Sequence, residues 1–297
     1  MRYAVHHGGR GGQEGQSCRW GKVPFHFMNG PTRTSWRSAG FSAIILVLLC
    51  VSAVDAQRGR GGGQPAGPAP TPRAAAPIDL TGYWVSLITD DWRWRVVTPP
   101  KGDVLYLPVN AEGRRVAESW DPARDEAAGE QCRGYGAPGL MHLPGRLHIT
   151  WDNDTILKVD VDTGTQTRVF HFVADSKSAP DQPSWQGYSI AQWEMAGAGA
   201  RRGRMARGGE GRPRHGSLKV VTTHLRPGYV RKNGVPYGAN AVLTEHWTTL
   251  TDSGIDYLMI TKFLEDPQYL AQPYIRSVQY KRQADARGWR PTACSAR

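Results

Sequence analysis

The chain has 297 residues, 39% of them hydrophobic and 21% charged, which excludes a polytopic membrane protein and a long coiled coil. The formal net charge of +11 by itself suggests an anionic partner such as nucleic acid. Three segments carry this charge, with +4 in 1–56, +3 in 57–77 and +5 in 196–216, which leaves −1 for the rest. We therefore expect the folded body of the protein to have no nucleic-acid partner.

The first apolar segment predicts export. Residues 41–54 are too few to span a bilayer, which takes about 20 residues, but they are typical of the hydrophobic region of a secretory signal. Arg33 and Arg37 precede this run, and Val54-Asp55-Ala56 offers a cleavage site after Ala56. Met28 gives a signal peptide of ordinary length. We therefore predict a miscalled start over 1–27, a signal peptide over 28–56, and a periplasmic or extracellular protein.

Gly, Pro and Arg dominate residues 57–77, which predicts a flexible linker that cannot bury a core. Residues 196–216 have the same character and are interpreted as a disordered Arg/Gly hairpin insert. The remainder, 78–297, is long enough for one domain with a sizeable core. We expect this domain to be monomeric.

Helix signals precede the main run of strands. Asn110 is expected to cap a helix through 112–120, and Asp121-Pro122 predicts a second short helix that ends near Ala127. Asp266-Pro267 predicts one further turn. No alternation of strands with helices follows, which excludes Rossmann and TIM-barrel architectures.

Short runs with period-2 alternation dominate the rest of the domain. Turn sequences such as Asp162-Thr163-Gly164 and Asp252-Ser253-Gly254 join several of them. So many short, closely spaced strands predict a mainly β fold, an antiparallel meander that closes into a β-barrel. The nine runs are 83–88, 146–151, 156–161, 165–172, 185–194, 217–225, 241–250, 255–264 and 274–282.

Two cysteines, Cys132 and Cys294, remain after the predicted leader. In an exported protein they most simply form one disulfide that ties the end of the chain to its first third. A metal pair or a catalytic thiol is the alternative, although neither cysteine has CxxC spacing.

Several motifs resemble a large group of uncharacterised secreted bacterial proteins. They are Leu80-Thr-Gly-Tyr-Trp84, Cys132 with Tyr135-Gly136 and Pro138, Trp185 to Glu194, Glu245, Asp266-Pro267 with Pro273, and Cys294. The opening Leu-x-Gly-x-Trp is also similar to the start of lipocalin-like barrels, in which this Trp plugs one end. The resemblance implies a secreted lipocalin-like barrel and no defined activity.

Strand phase predicts a polar cluster inside the barrel. Glu245 alternates with Leu243 and Trp247 and should point inward, whereas His246 should point outward. An inward carboxylate needs a partner, and Arg168 is in phase with Phe170 and Phe172. His224, in phase with Val220 and Thr222, is a second candidate. Glu245, Arg168 and His224 are therefore the candidate catalytic residues, with a structural ion pair as the alternative.

Aromatic and small residues on these strands are candidates for lining a ligand cavity. Ser189 lies in Gly187-Tyr-Ser189-Ile-Ala191, close to a nucleophile elbow, but the strand pattern continues through it and favours small inward residues. The histidine spacing predicts no metal site, and no cofactor is expected. The candidate ligand-binding residues are Trp84, Phe170, Tyr188, Ser189, Trp193 and Trp247.

Two surface segments offer further contacts. Asp91-Trp92-Arg93-Trp94-Arg95 predicts either an aromatic, charged lip or, slightly favoured, a strand with both Trp side chains on the core. The arginines of the insert suggest weak contact with an anionic envelope surface, or no partner at all. They are Arg201, Arg202, Arg204, Arg207, Arg212 and Arg214.

Together these observations leave three functions open. The first is a secreted or periplasmic binding protein for a small hydrophobic or aromatic molecule. The second is a barrel enzyme that uses the internal Arg/Glu/His cluster for acid/base chemistry on a lipid-like or polyketide-like substrate. The third is a structural envelope protein whose barrel is filled by its own side chains.

Overall fold

The computed structural model describes residues 69–173, 181–195 and 216–297. These ranges contain eleven strands, which are β1 (Gly82–Leu87), β2 (Arg146–Asn153), β3 (Ile156–Val161), β4 (Gln166–His171), β5 (Tyr188–Met195), β6 (Gly216–Thr223), β7 (Gly228–Arg231), β8 (Val235–Tyr237), β9 (Val242–Asp252), β10 (Ile255–Glu265) and β11 (Tyr274–Gln283).

Nine of these strands close into a barrel in the order β1-β11-β10-β9-β6-β5-β4-β3-β2. Closure occurs at β1, where Trp84 pairs with Leu147 of β2 on one side and with Arg282 of β11 on the other. The predicted barrel is confirmed, and each of the nine predicted runs contributes one of its strands. The meander departs from the antiparallel pattern once, because β4 and β5 pair in parallel.

Strand alternation fills the barrel with side chains. In β9, Leu243, Glu245 and Trp247 are buried, whereas their neighbours are partly exposed. The other barrel strands contribute similarly, so aliphatic and aromatic side chains form one continuous core. Apolar burial of this kind stabilises a fold by about 25 cal/mol per Å² removed from water.

Within the described ranges the helices all precede β2, as expected. They are α1 (Trp92–Arg95), α2 (Ala111–Glu118), α3 (Pro122–Ala127), a 3₁₀-helix (Gln131–Tyr135) and α4 (Ala137–Leu140). The predicted caps are confirmed, because Asn110 accepts a hydrogen bond from the Gly113 amide and Asp121 accepts from two amides of α3. The favoured strand at 92–95 is wrong, since these residues form α1 after a left-handed Asp91 and leave Trp92 exposed.

The β7–β8 hairpin lies outside the barrel sheet and packs with the helices. We call the helices, the 3₁₀-helix and this hairpin the cap. A second apolar core joins cap residues such as Ala117, Val230 and Tyr237 to the barrel strands β9, β10 and β11. Two barrel side chains bind backbone carbonyls at α4, since Lys262 donates to Pro138 and Tyr280 donates to Met141.

A disulfide between Cys132 and Cys294 joins the 3₁₀-helix of the cap to the C-terminal tail. The tail then binds the same region, because the Ser295 amide donates to the Tyr135 hydroxyl at 3.2 Å. The predicted pairing is therefore present, and it closes a sequence separation of 162 residues.

The segments predicted as a miscalled start and as a signal peptide lie outside the described residues, as do 57–68 of the linker and 196–215 of the insert. Over the ranges that are described, no helix is long and apolar enough to cross a membrane.

Candidate functional site

A buried ion pair crosses the barrel interior. Arg168 of β4 and Glu245 of β9 form two parallel hydrogen bonds, Nη1–Oε1 at 2.9 Å and Nη2–Oε2 at 2.6 Å. Both residues are 0% exposed. Arg168 Nη2 also donates to Thr222 Oγ1 at 3.3 Å, and that hydroxyl lies 2.8 Å from the Ser189 hydroxyl. The guanidinium and carboxylate therefore form a bidentate pair, which leaves Arg168 Nε buried without a hydrogen-bond partner.

Aromatic rings surround this pair. The Arg168 guanidinium lies 4.9 Å from the centre of the Phe170 ring, and Phe170 meets Trp247 edge to face at 5.3 Å. The structure thus brings together five of the predicted site residues: Arg168, Glu245, Phe170, Ser189 and Trp247. Ser189 continues a strand through Met195, so it does not form a nucleophile elbow.

Lys262 joins the same interior and was not predicted. It is the cross-strand partner of Glu245, and its Nζ donates to the Pro138 carbonyl at 2.6 Å. Burial lowers the pKa of Lys262 to about 8, although the Glu245 charge acts in the opposite direction. The signal was present in the sequence, because Lys262 alternates in phase with Ile260 and Leu264.

His224 does not belong to the cluster, and this prediction is wrong. Strand β6 ends at Thr223, and His224 adopts a positive φ of 55° that breaks the alternation. Its exposed side chain lies 2.9 Å from the Thr223 hydroxyl instead of entering the barrel. The neighbouring prediction at β9 is confirmed, since His246 points outward and meets Glu194 at 3.1 Å.

The remaining predicted ligand residues contact other partners. Trp84 donates its indole N–H to the Leu80 carbonyl, and Trp193 donates to the Pro72 carbonyl. Tyr188 precedes Ser189 on β5, so it points to the opposite face, beside His171. The six residues therefore do not line one cavity.

A second arrangement lies outside the barrel, in the cap. Helices α2 and α3 and the β7–β8 hairpin enclose a cleft of about 160 Å³, which we call the cap cleft. Its walls include four aromatic residues and two arginines. They are Trp120, Tyr229, Tyr237, Tyr269, Arg124 and Arg133.

Asp125 organises the floor of the cap cleft. It accepts a hydrogen bond from the Tyr229 hydroxyl at 2.8 Å and another from Arg133 Nη1 at 2.8 Å. The Arg133 guanidinium also lies 4.8 Å from the centre of the Tyr229 ring. Burial raises the pKa of Tyr229, and its hydrogen bond to Asp125 raises it further, so this hydroxyl remains a donor at neutral pH.

Three residues that line the cap cleft carry a buried polar atom without a hydrogen-bond partner. These atoms are Trp120 Nε1, Arg133 Nε and the Tyr237 hydroxyl oxygen. An unsatisfied buried group costs about 1–3 kcal/mol, and three of the ten such atoms in the described ranges lie around this cleft. Because solvent does not reach these atoms, a ligand would reach them only after a small shift of the wall.

The sequence contains a local signal for the cleft. Asn233-Gly234 is the dipeptide expected between two hairpin strands, and it joins β7 to β8. Gly234 has a φ of 86°, and a Cβ built on it would lie 2.2 Å from Trp120 Cβ. The turn and the wall of the cleft therefore both require glycine at this position.

Within the described ranges, no three His, Cys, Asp or Glu side chains gather as metal ligands would. Comparison of the chain with protein-family models, with curated proteins and with solved structures found no match. The closed barrel is consistent with a lipocalin-like fold, although it has nine strands and lipocalins have eight.

Proposed function

We propose that this chain is an exported protein that binds a small aromatic molecule in the cap cleft instead of inside the barrel. One observation carries the proposal: the cap cleft combines four aromatic side chains with two arginines in a concave site. Small-molecule sites are typically concave, mostly apolar and provided with a few polar groups that orient the ligand.

Two carboxylates line the cleft as well, but Asp121 caps α3 and Asp125 binds Arg133 and Tyr229. The walls therefore support a ring-bearing ligand with an acceptor or anionic group. Aromatic side chains offer large faces and edges for packing against a planar ring. Arg124 is exposed at the cleft and can meet a carboxylate in a bidentate pair. Arg133 is already bound to Asp125, so Arg124 is the guanidinium that we expect to contact the ligand.

The barrel interior supports a different role. A barrel enzyme would need Arg168 and Glu245 to reach a substrate, but both are fully buried and bind each other. Removing one partner of such a pair leaves an uncompensated charge, whereas the intact pair only holds the strands together. We therefore assign these two residues to the structure of the barrel.

Export is supported by two independent features. The apolar run at 41–54 with its cleavage sequence is typical of a secretory signal. The Cys132–Cys294 disulfide is of the kind that persists in oxidising compartments.

Native mass spectrometry of the protein purified from the periplasm tests the function. We expect an extra mass that is lost on denaturation, and we expect Arg124→Ala and Tyr269→Ala to lose it. A Phe170→Leu variant, altered inside the barrel, should keep it. In isothermal titration, we expect the parent protein and the Phe170→Leu variant to bind 2-naphthoate, an aromatic carboxylate. The Arg124→Ala and Tyr269→Ala variants should lose this binding. A ligand lost only in the Phe170 variant, or neither extra mass nor 2-naphthoate binding in the parent protein, would contradict the proposal.

A further inference from the structure

A contiguous apolar surface lies on the cap, away from the cap cleft. Five large hydrophobic side chains of the segment 92–106 are each at least 54% exposed. We call this surface the 92–106 patch. Its members are Trp92, Val96, Val97, Leu105 and Tyr106.

The members of the patch are neighbours in space as well as in sequence. Trp92 and Val97 line one shallow cleft together with Trp94. Val96 and Val97 line an adjacent cleft, again with Trp94. The Trp94 ring also meets Tyr106 edge to face at 5.3 Å. Trp94 therefore connects four of the exposed side chains, and Leu105 adjoins Tyr106 in the chain. Extended exposed apolar surface of this kind marks an interaction site.

The fold holds this segment by its backbone. The Asn233 side-chain amide donates to the carbonyls of Pro100 and Asp103 at 2.9 and 2.8 Å. Arg231 donates to the carbonyls of Asp103 and Leu105 at 3.2 and 2.9 Å. Asn233 and Arg231 are both buried. Because inward donors bind these carbonyls, Leu105 and its neighbours are displayed on a fixed surface.

The charges around the patch are arranged asymmetrically. Each carboxylate of 90–103 is occupied: Asp90 binds Arg95 and Asp91 binds Arg276. Asp103 accepts from the Trp94 indole at 2.9 Å. Arg93 and Lys101, in contrast, are exposed and form no ion pair with any described residue, although Arg93 lies 5.6 Å from the centre of the Trp94 ring and its charge acts on Asp103. The unpaired charge beside the apolar side chains is therefore positive.

We propose that the 92–106 patch docks the protein on an anionic lipid surface. Trp and Tyr are the residues that settle at the interface of a bilayer, where one end of the side chain is apolar and the other is wet. Exposed apolar side chains with adjacent cations bind acidic lipid through burial and charge together. A second copy of the chain is a less suitable partner, because it would bring the same cations face to face.

Vesicle flotation of the full exported chain tests this proposal. The probes are vesicles of equal parts phosphatidylcholine and phosphatidylglycerol and vesicles of phosphatidylcholine alone. We expect binding to the first that weakens as salt is raised, and little binding to the second. Trp92→Ser with Val97→Ser should reduce the partition coefficient about tenfold or more. Arg93→Gln with Lys101→Gln should reduce it roughly tenfold.

Two matched controls isolate the patch. Val169→Ser with Leu250→Ser removes exposed apolar side chains from the barrel wall and should leave binding unchanged. Replacing the six arginines between 201 and 214 with Gln tests the insert, and most of the binding should survive. Thermal unfolding of every variant confirms that it folds.

Four outcomes would overturn the proposal. The first is that the parent chain does not float with either vesicle. The second is that the patch variants bind as the parent does. The third is that replacing the six arginines between 201 and 214 abolishes binding by itself. The fourth is equal binding to both vesicles, which would contradict an anionic target. None of these results depends on what the cap cleft binds.

Discussion

Two arginine–carboxylate pairs, one in the barrel and one in the cap, share nearly the same local chemistry. Arg168 pairs with Glu245, and its guanidinium lies 4.9 Å from the centre of the Phe170 ring. Arg133 pairs with Asp125, and its guanidinium lies 4.8 Å from the centre of the Tyr229 ring. The barrel pair is enclosed on all sides, whereas the Arg133 side chain is 35% exposed at the cap cleft. The surroundings of such a pair, more than its residue types, therefore decide whether it is available to a proposed ligand or only supports the structure.

Breaking the barrel pair should have the largest effect. Glu245→Ala leaves the Arg168 charge buried beside Lys262, so we expect the free energy of unfolding to fall by about 3–5 kcal/mol. Replacing both partners, Arg168→Met with Glu245→Leu, should recover most of this loss. Urea denaturation measures the free energy of unfolding of the single and the double variant. If the single and double variants were equally destabilised, the pair would not act through its charge.

Loss of the disulfide should have the second-largest effect on stability. Replacing Cys132 and Cys294 with Ala frees the tail from the cap across a long loop, which we expect to cost about 2–5 kcal/mol. Denaturation of this variant and of the reduced parent protein should agree. An unchanged midpoint would mean that the noncovalent contacts of the tail already hold it.

Lys262 should make stability depend on pH. Its folded pKa is about 8 against an ordinary value of 10.5, so between these values the unfolded chain binds more protons. The free energy of unfolding should therefore rise with pH across this interval, by at most about 3 kcal/mol. Lys262→Met should remove the rise.

Tyrosine ionisation limits the pH range over which the rise in the free energy of unfolding can be attributed to Lys262. Burial raises the pKa of Tyr237 and Tyr280 above the ordinary 10, so stability should fall as the pH passes through 10. Urea denaturation from pH 8 to about 9.5 isolates the lysine. A free energy of unfolding that does not change over this pH range in the parent protein would contradict a pKa of about 8 for Lys262.

The smallest effect is expected at the hairpin turn of the cap. Gly234→Ala forces a side chain into a positive φ and against Trp120, which should cost about 1–3 kcal/mol. Gly254→Ala is the matched control, because Gly254 also has a positive φ but has open space where a Cβ would lie. Both variants should lose stability, and only Gly234→Ala should also weaken binding of 2-naphthoate. If the two variants bound 2-naphthoate equally well, the conformation of the turn would not affect the cap cleft.

The sequence allowed the barrel to be predicted because strand alternation is a local pattern. Phase alone placed Arg168 and Glu245 on inward positions, where they meet across two intervening strands. Strand phase did not predict the position of His224, because its own positive φ breaks the alternation at the end of β6. Lys262 is in phase with Ile260 and Leu264, but a lysine on an inward position is not expected from phase alone.

The cap cleft was harder to predict because its walls come from distant parts of the chain. Trp120, Tyr229 and Tyr269 have no common sequence pattern, and only tertiary packing brings them together. The hairpin signal at Asn233-Gly234 was the one local clue. The parallel pairing of β4 and β5 also lacked a signal, since alternation does not reveal strand direction.

Side-chain indole resonances offer the most direct test of the binding site, because tryptophans report on both regions. Trp120 lines the cap cleft, whereas Trp84 and Trp247 are buried in the barrel. During titration of the ¹⁵N-labelled protein with 2-naphthoate, we expect the Trp120 indole N–H to shift while those of Trp84 and Trp247 stay in place. Shifts of the two barrel indoles with Trp120 unchanged would contradict a binding site in the cap.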